Sequence, residues 1–380
     1  MENDTDLRER TLNTPEQIRE AAFSALNQIS WPGRCAVLAY PDYPNMGTHL
    51  LSLGAFFFLA DMGTEIAYIS PISRYSPDML IRRAGNAPLV LLGGYLGDFW
   101  DSGSADRRNF FTTIIAQYRD REIIVLPQSI RYYNPKILEY TARIFNEHPN
   151  LTIFTRDEQS FARSRQHFHR CRVLRAPDLA FFLEGIVHKP DLPSTPAGIQ
   201  FLRRNDWDTA QEIIDEIELL GNTVYDDWVS YSWAINGRIP RLSSVPGLGR
   251  AITSLWQRGL SRPYEWAHRQ FHHKKQEDFA RLRKHCPSPF LDHSWDIIHS
   301  GIAQLSSSGM VITNRLHGHI LAVLLRIPHI LIPGPYDKIG DFYRSWTHRI
   351  PFCCYVSRAD QIRQAVASFR AEFRIPGTSY

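Results

Sequence analysis

Short apolar runs separated by amphipathic stretches recur along the first 150 residues of the chain. The runs lack polar alternation, which is typical of strands buried on both faces of a parallel sheet. They are Cys35–Tyr40, Glu65–Ile69, Pro88–Leu92, Glu122–Leu126 and Leu151–Phe154. The stretches between them predict helices over His49–Asp61, Asp106–Tyr118, Pro135–Phe145 and Asp157–Phe168. Strands that alternate with helices in this way predict βαβ units and an open, doubly wound α/β sheet.

A second α/β pattern follows a proline-rich linker. His188–Ala197 contains three prolines in ten residues, which favours an irregular connection. The elements predicted after it are the strands Gly198–Leu202, Met310–Thr313 and His329–Ile332 and the helices Thr209–Leu220, Asn314–Arg326 and Arg358–Phe373. We therefore predict two α/β lobes, residues 1–190 and 198–380, with a ligand cleft between the carboxyl ends of their sheets. We expect the last helix to pack back across the lobes.

Composition places the chain among globular proteins. Hydrophobic residues make up 43% and charged residues 22% of its 380 residues. No apolar stretch approaches the ~18 residues that a membrane span needs, and the charged N-terminus is unlike a secretion signal. Five cysteines without CxxC spacing indicate a reducing, cytoplasmic setting. The net charge of +4 gives no reason to expect a nucleic-acid partner.

Residues 249–286 form a basic insert in the second lobe. This segment carries nine lysines and arginines against three acidic residues, with Trp256, Tyr264, Trp266 and Phe271 interleaved. Such a segment can rest on an anionic membrane surface or hold a polyanionic glycan. The alternative is a solvated pair of helices, which we slightly prefer. The first alternative places the protein at the inner face of the membrane.

The segment Met310–Arg326 contains the most specific candidate chemistry. A buried strand ends at Thr313 and a helix follows at once, with Asn314 as the expected cap, so that Arg315, His317 and His319 lie in its first turn. Helix N-termini and guanidinium groups favour phosphate and carboxylate ligands. His317 beside them can act as a general acid or base near neutral pH. The structural alternative is that Arg315 pairs with an acidic side chain and the histidines fill an interface.

Other polar residues follow predicted strands and reach the same sheet edges. Gly93 and Gly94 permit a tight turn or close approach of a ligand, and two arginines, Arg203 and Arg204, follow the first strand of the second lobe. Each of the remaining candidates has a structural alternative, as a turn-former or a cap: Asn45, Gly47, His49 and Asp98.

Metal, nucleophile and dinucleotide sites are poorly supported. His317 and His319 lack the i, i+4 spacing of HExxH, and no Cys/His quartet is present. There is no GxSxG, P-loop or GxGxxG motif. We therefore expect neither a metal nor a cofactor.

The order of motifs resembles the polysaccharide pyruvyltransferase family from about Val37 to Trp346. The matching segments are PNMGTHLLSLG, LLGGYLGD, LPQSI, TRDEQS, APDLAFFL, FLRRND, TNRLHGHILAVLLRIPHILI and YDKIGDFYRSW. Each segment alone is weak evidence of a relationship. Their common order makes the resemblance specific, and RLHGH at Arg315–His319 is the anchor.

This resemblance implies a fold like that of GT-B glycosyltransferases, with two Rossmann-like lobes. It also implies transfer of a pyruvyl group from phosphoenolpyruvate to sugar hydroxyls, and we expect His317 to be the catalytic residue, as general acid. The residues that it implies at the donor are Arg315, His317, Leu316 and Arg204. We add Gly93, Gly94 and Lys338 as candidate donor residues, and for the glycan acceptor, free or lipid-linked, we predict Asn45, His49, Asp98 and Tyr336. The chain has Gly47-Thr48 where many members have Gly-Asp, so the role of that acid is missing here.

Two other functions are compatible with the same pattern. A GT-B-like glycosyltransferase would share the two lobes and would bind a nucleotide sugar instead of phosphoenolpyruvate. A glycan-binding protein without turnover would keep the lobes, and Thr48 is the residue that suggests it. The ligand that stabilises the protein distinguishes the three functions.

Overall fold

The computed structural model describes residues 12–43, 45–98, 102–189, 198–203, 211–220, 223–228, 280, 282–286, 288–334 and 338–375. Three predictions lie wholly or mostly outside these residues. They are the linker after residue 189, the basic insert 249–286, and the site residues Arg204 and Tyr336.

The first sheet contains seven parallel strands. In chain order they are β1 (Arg34–Leu38), β2 (Glu65–Ser70), β3 (Leu89–Leu91), β4 (Tyr95–Gly97), β5 (Ile123–Arg131), β6 (Leu151–Thr155) and β7 (Arg172–Arg175). Their spatial order is β2-β1-β3-β5-β6-β7, and β4 pairs with the last part of β5. All five predicted strands of this lobe are confirmed, and β4 and β7 are additional.

Helices cover this sheet, and polar residues at their first turns define where they begin. They are α1 (Pro15–Leu26), α2 (Met46–Asp61), α3 (Pro77–Ala84), α4 (Ser102–Gln117), α5 (Pro135–Glu147) and α6 (Glu158–His167). Thr14 and Gln17 form a reciprocal capping box at α1. Asn45, Asn134 and Asp157 cap α2, α5 and α6 through backbone N–H groups. The predicted helices are confirmed, whereas α3 was not predicted.

The second sheet contains five parallel strands. They are β8 (Ile199–Leu202), β9 (Thr223–Asp226), β10 (Met310–Thr313), β11 (His329–Leu331) and β12 (Cys353–Tyr355), in the order β12-β11-β10-β8-β9. The helices of this part are α7 (Gln211–Glu218), α8 (Ser288–Ser306), α9 (Leu316–Leu324), α10 (Lys338–Phe342) and α11 (Ile362–Glu372). The two parallel α/β sheets confirm the predicted fold class. The described helices include none that is both long and apolar enough to cross a membrane.

A continuous apolar core joins the two sheets. It contains residues of α2, of the 3-10 turn Leu179–Leu183, and of α8 and α9. The helix α2 packs against that turn so closely that a Cβ at Gly54 would lie 2.0 Å from the Leu179 carbonyl oxygen. Because α2 follows β1 and α9 follows β10, this core brings the carboxyl ends of both sheets together.

The C-terminal helix differs from its prediction. Its apolar side, Ile362, Val366 and Phe369, joins a separate core with Ile213 of α7 and Ile312 of β10. The helix therefore covers the outer face of the second sheet instead of crossing the lobes. Amphipathic spacing identifies a buried face, but it contains no information about which surface covers that face.

Candidate active site

The turn between β10 and α9 places Arg315 and His317. The Thr313 hydroxyl accepts a hydrogen bond of 3.0 Å from the Arg315 backbone N–H. Arg315 is the N-cap residue, with no side-chain capping bond, and α9 runs from Leu316 to Leu324. The predicted cap, Asn314, is therefore wrong by one residue, and the predicted helix from Asn314 to Arg326 is too long at both ends. At the C-terminal end, Arg326 has a positive φ of 51°, which is outside the helical region. Leu316 is buried in the core between the sheets.

His317 faces a buried carboxylate of the other sheet. Its Nε2 lies 3.5 Å from Oδ2 of Asp178, a residue with an exposed fraction of 0% that follows β7. The same oxygen accepts a hydrogen bond of 2.7 Å from Nη1 of Arg156, and Oδ1 accepts one from the Ala180 N–H. Arg156 is itself only 1% exposed. Arg156, Asp178 and His317 thus form one chain of interactions from one lobe to the other.

Further contacts fix Arg156. Its Nε donates to the Ser129 hydroxyl at 3.1 Å, and that hydroxyl donates to Asp157 at 2.8 Å. The indole N–H of Trp346, in the second lobe, donates to the Arg156 carbonyl at 2.7 Å. These bonds join the ends of β5 and β6 to the second lobe. They leave the guanidinium of Arg156 little freedom to turn away from Asp178.

The charges around His317 oppose one another. Burial lowers the pKa of His317, Asp178 raises it, and Arg156 and Lys338 lower it, with a net shift below the ordinary value. Burial alone would raise the pKa of Asp178, but His317 and Arg156 hold it below its usual range. Asp178 is therefore a stable carboxylate beside the imidazole at neutral pH.

The first turn of α2 closes the other side of the imidazole. A Cβ at Gly47 would lie 2.3 Å from His317 Nδ1, so that only glycine fits at this position. The Asn45 side chain accepts from the N–H groups of Gly47 and Thr48 and thus begins the helix. Gly47 and Asn45 therefore place the N-terminus of α2 against His317.

Arg315 and Lys338 are the cationic donor candidates of the second lobe that the structure describes. Arg315 forms an ion pair through Nη2 with Oδ2 of Asp227, which follows β9. Pairing of Arg315 with an acid was the structural alternative in the sequence prediction, and here it fixes the guanidinium at the start of α9. Lys338, at the start of α10, is close enough to influence the pKa of His317.

Gly93 and Gly94, which follow β3, are each favoured as glycine for a different structural reason. A Cβ at Gly93 would lie 2.4 Å from the Pro127 carbonyl oxygen, and Gly94 has a φ of 137°. Arg107 of α4 donates through Nη1 to the carbonyls of Leu92 and Gly93. The pair therefore fits tightly between β5 and Arg107.

Two predicted acceptor residues have their polar atoms engaged within the protein. His49 is buried, with Nδ1 3.1 Å from the Ser294 hydroxyl and Nε2 3.1 Å from the Tyr43 carbonyl oxygen. Asp98 accepts from the N–H groups of Tyr133 and Asn134. These contacts suit the structural alternatives of the sequence analysis, and acceptor binding by either residue stays a prediction.

One group of described side chains could hold a metal ion. His319, His329 and Cys353 are buried, and their ligand atoms lie within 4.8 Å of one another. However, His329 Nδ1 lies 2.7 Å from the Ile327 carbonyl oxygen, so that this nitrogen must donate. His319 Nδ1 then donates to His329 Nε2 at 2.7 Å, and His319 Nε2 accepts from the Thr347 hydroxyl at 2.8 Å. The network is complete with neutral rings, and it fits a structural pair better than a metal site.

Asp178, Arg156 and Asp227 were not among the predicted site residues. Asp178 and Arg156 lie in the motifs APDLAFFL and TRDEQS, each at the end of a strand. Arg156 follows the predicted strand Leu151–Phe154, and this position at a carboxyl edge was a usable signal. Asp178 and Asp227 follow β7 and β9, strands that the sequence pattern did not predict, and so they carried no such signal.

Comparisons with known proteins agree on one family. The family profile described as polysaccharide pyruvyl transferase matches residues 45–334. The chain is 26% identical over 329 residues to "Putative pyruvyl transferase EpsO" of Bacillus subtilis, covering 85% of this chain and 88% of that protein. It is 25% identical over 331 residues to "Pyruvyl transferase 1" of Schizosaccharomyces pombe, covering 83% and 70%. A crystal structure of an uncharacterised Klebsiella pneumoniae protein has a TM-score of 0.50 at 16% identity, over 90% of this chain and 99% of that one, which supports the fold.

Proposed function

The chain belongs to the polysaccharide pyruvyl transferase family, and we propose that it moves a pyruvyl group from phosphoenolpyruvate to two hydroxyls of a sugar. The product is a cyclic pyruvate ketal, and phosphate is released. The observation that carries this proposal is the position of His317, which lies at the start of α9 with Asp178 at 3.5 Å. We propose a sugar of a polysaccharide or oligosaccharide precursor, made in the cytoplasm, as the acceptor.

Arg315 and Lys338 are suited to bind the donor. Phosphoenolpyruvate carries a carboxylate and a phosphate, which are ligands of guanidinium groups and helix N-termini. Arg315 is held at the N-terminus of α9 by Asp227. Lys338 adds a second positive charge near His317. Arg204, which lies outside the described residues, is proposed as a further anion ligand.

His317 is proposed as the general acid. A ring proton passes to the methylene carbon C3, which becomes a methyl group, and C2 becomes cationic. The first sugar hydroxyl attacks C2 and returns its proton to the imidazole. Departure of phosphate renews the cationic centre, the second hydroxyl closes the ketal, and its proton leaves with the phosphate. The proton of the first hydroxyl thus replaces the one that His317 transfers to C3, and the proton of the second hydroxyl leaves with the phosphate. No step requires a metal.

Asp178 and Arg156 are proposed as positioning residues. The carboxylate fixes the plane of the imidazole and stabilises its protonated form, which is the form that a general acid needs. Arg156 keeps that carboxylate ionised and in place through their bond of 2.7 Å. Asp178 offsets part of the lowering of the His317 pKa that burial causes, while Arg156 itself lowers that pKa.

Mass spectrometry of a sugar panel tests the proposed reaction. The protein is incubated with phosphoenolpyruvate and glycosides that present adjacent or 4,6-related hydroxyls, with EDTA present and absent. We expect one or more glycosides to gain the mass of pyruvic acid less one water in both conditions, with phosphate released in equal amount. His317→Ala is the matched control. Release of a nucleotide from a nucleotide sugar, with no gain from phosphoenolpyruvate, would instead indicate a glycosyltransferase.

A further inference from the structure

Arg107 is a buried cation whose charge is not matched by the protein residues described around it. It is 9% exposed. Its hydrogen bonds go to the carbonyls of Leu92 and Gly93, at 3.2 and 3.1 Å, and to the Tyr43 hydroxyl at 3.3 Å. All three acceptors are neutral. Within the described part of the chain, no carboxylate lies within ion-pair distance of this guanidinium.

Two other buried arginines of this lobe face carboxylates. Arg156 faces Asp178, and Arg175 forms an ion pair with Glu158. Arg121 also has no ion pair among the described residues: its Nη2 lies 3.5 Å from Oδ1 of Asn86, and its guanidinium lies 4.8 Å from the centre of the Tyr118 ring. It precedes β5, at the opposite edge of the sheet from Arg107. A buried charge is costly unless an anion or an equivalent group faces it. Arg107, whose acceptors are all neutral, is therefore suited to bind an anionic ligand.

The groups beside Arg107 can complete such a site. A guanidinium has five N–H donors, and the three hydrogen bonds above leave two for a ligand. Because the Tyr43 oxygen accepts from Arg107, its own proton points elsewhere, and this side chain is 43% exposed. Gly94 has no side chain to fill the space beside Nη1, which would lie 3.9 Å from a Cβ there.

Arg107 is on the same side of the fold as His317, one loop away. Tyr43, which contacts Arg107, precedes Gly47 by four residues, and Gly47 contacts His317. Four residues span at most about 14 Å. That bound applies to the Cα atoms of Tyr43 and Gly47, and Arg107 contacts the first of these residues while His317 contacts the second. The cations assigned to the donor, Arg315 and Lys338, belong to the other lobe.

We propose that Arg107, with Tyr43, binds a phosphate or carboxylate group carried by the acceptor, so that the acceptor is an anionic glycan. The acceptor role rests on the proposed function, whereas the anion site itself does not. The acid can come from a glycosyl phosphate or diphosphate or from a uronic acid, since both groups are ligands of guanidinium.

Calorimetric titration with two simple probes tests the site. Inorganic pyrophosphate and glucuronic acid are added to the full chain, with and without saturating phosphoenolpyruvate. We expect at least one probe to bind with phosphoenolpyruvate present, and Arg107→Gln to weaken that binding by about tenfold or more, as for loss of charge-assisted hydrogen bonds. Which probe binds distinguishes phosphate from carboxylate. Tyr43→Phe, which removes one exposed hydroxyl, should also weaken probe binding. This variant tests the site if Arg107→Gln does not fold.

Arg108→Gln is the matched control. Arg108 is on the same helix and also donates to a backbone carbonyl, that of Gly97. Equal probe binding by wild type, Arg107→Gln and Tyr43→Phe would overturn the site, as would equal losses in Arg107→Gln and Arg108→Gln. A third outcome is that the probes compete with phosphoenolpyruvate and that Arg107→Gln loses the binding of both. Arg107 would then be a ligand of the donor, and the acceptor role would be overturned. If wild type does not bind phosphoenolpyruvate, the proposed function fails while the probe result still stands.

Discussion

Two effects on the pKa of His317 oppose each other. Asp178 raises the pKa and so favours the imidazolium, whereas burial lowers it. Gly47 lies beside the ring, where a Cβ would be 2.3 Å from Nδ1 and no other side chain fits. The function proposed for the molecule depends on this one ring being held in place and on its delivering a proton.

Replacement of His317 should separate catalysis from binding. His317→Ala removes the proposed general acid, and such groups contribute about 10²–10⁴-fold to rate. We expect kcat to fall by that factor while the Kd of phosphoenolpyruvate changes little, because Arg315 and Lys338 remain. Single-turnover kinetics and calorimetry measure the two quantities. Near-normal turnover would contradict the role of His317.

Replacement of Asp178 should move a pH profile. Asp178 raises the pKa of His317, so Asp178→Asn lowers it further, and the fall in kcat/KM with rising pH should begin at a lower pH. The variant also leaves Arg156 buried without its partner, which should destabilise the fold by about 3–5 kcal/mol.

Glu158→Gln is the control for Asp178→Asn. It removes a carboxylate that pairs with Arg175 and makes no described contact with His317. A profile that shifts equally in both variants, or in neither, would show that Asp178 does not act on the imidazole.

At this scale the sequence predicted His317 and Arg315 as site residues, but it did not predict the residues that contact them. The first turn of a helix after a buried strand is visible as a local pattern. Asp178 and Arg156 are more than a hundred residues from His317 and meet it only through the docking of the two sheets. His49 and Asp98 have the residue types of a binding site, yet neighbouring loops use their polar atoms.

At the scale of elements, α2 is the helix that connects the core to the site. Its apolar residues pack into the core between the sheets, and its first turn contacts His317. Local patterns predicted the strands and helices of the first lobe well, because caps and apolar runs are local. They did not predict β9 or β12, each of only three or four residues. They also did not predict the face of the second sheet against which α11 packs.

Substitution of one glycine should test the α2 contact. Gly47→Ala places a methyl group within 2.3 Å of the imidazole, so the ring or the helix must shift. We expect a loss of activity together with a destabilisation of about 1–3 kcal/mol, as for overpacking.

Gly33→Ala is the matched control, since nothing lies within 4 Å of a Cβ there. It should leave activity and stability unchanged to within about 0.5 kcal/mol. An active Gly47→Ala protein would mean that α2 does not position His317.

At the scale of the whole molecule, buried neutral histidines couple stability to pH. Burial lowers the pKa of His329 to about 4 and places that of His319 well below the ordinary value. Unfolding restores ordinary pKa values near 6.5, so below that pH the unfolded chain binds more protons than the folded one. Stability is therefore complete above pH 6.5 and is lost as the pH falls towards 4.

Chemical unfolding at several pH values measures this coupling. Each histidine that stays neutral should contribute a slope of up to about 1.4 kcal/mol per pH unit between pH 6 and 4. His329→Asn should reduce the slope, whereas replacement of the exposed His348 by Asn should leave it unchanged. Equal slopes in wild type and His329→Asn would contradict the neutral pair.

Ligand-dependent thermal unfolding tests the central claim, that phosphoenolpyruvate binds at Arg315 and His317. Phosphoenolpyruvate, UDP, GDP and CMP are titrated separately into wild type and Arg315→Ala. A ligand that binds only the folded protein stabilises it by about 2.7 kcal/mol at a hundredfold excess over Kd. We predict stabilisation of the wild type by phosphoenolpyruvate alone, and its loss in Arg315→Ala. Stabilisation by a nucleotide, with none by phosphoenolpyruvate, would contradict the account.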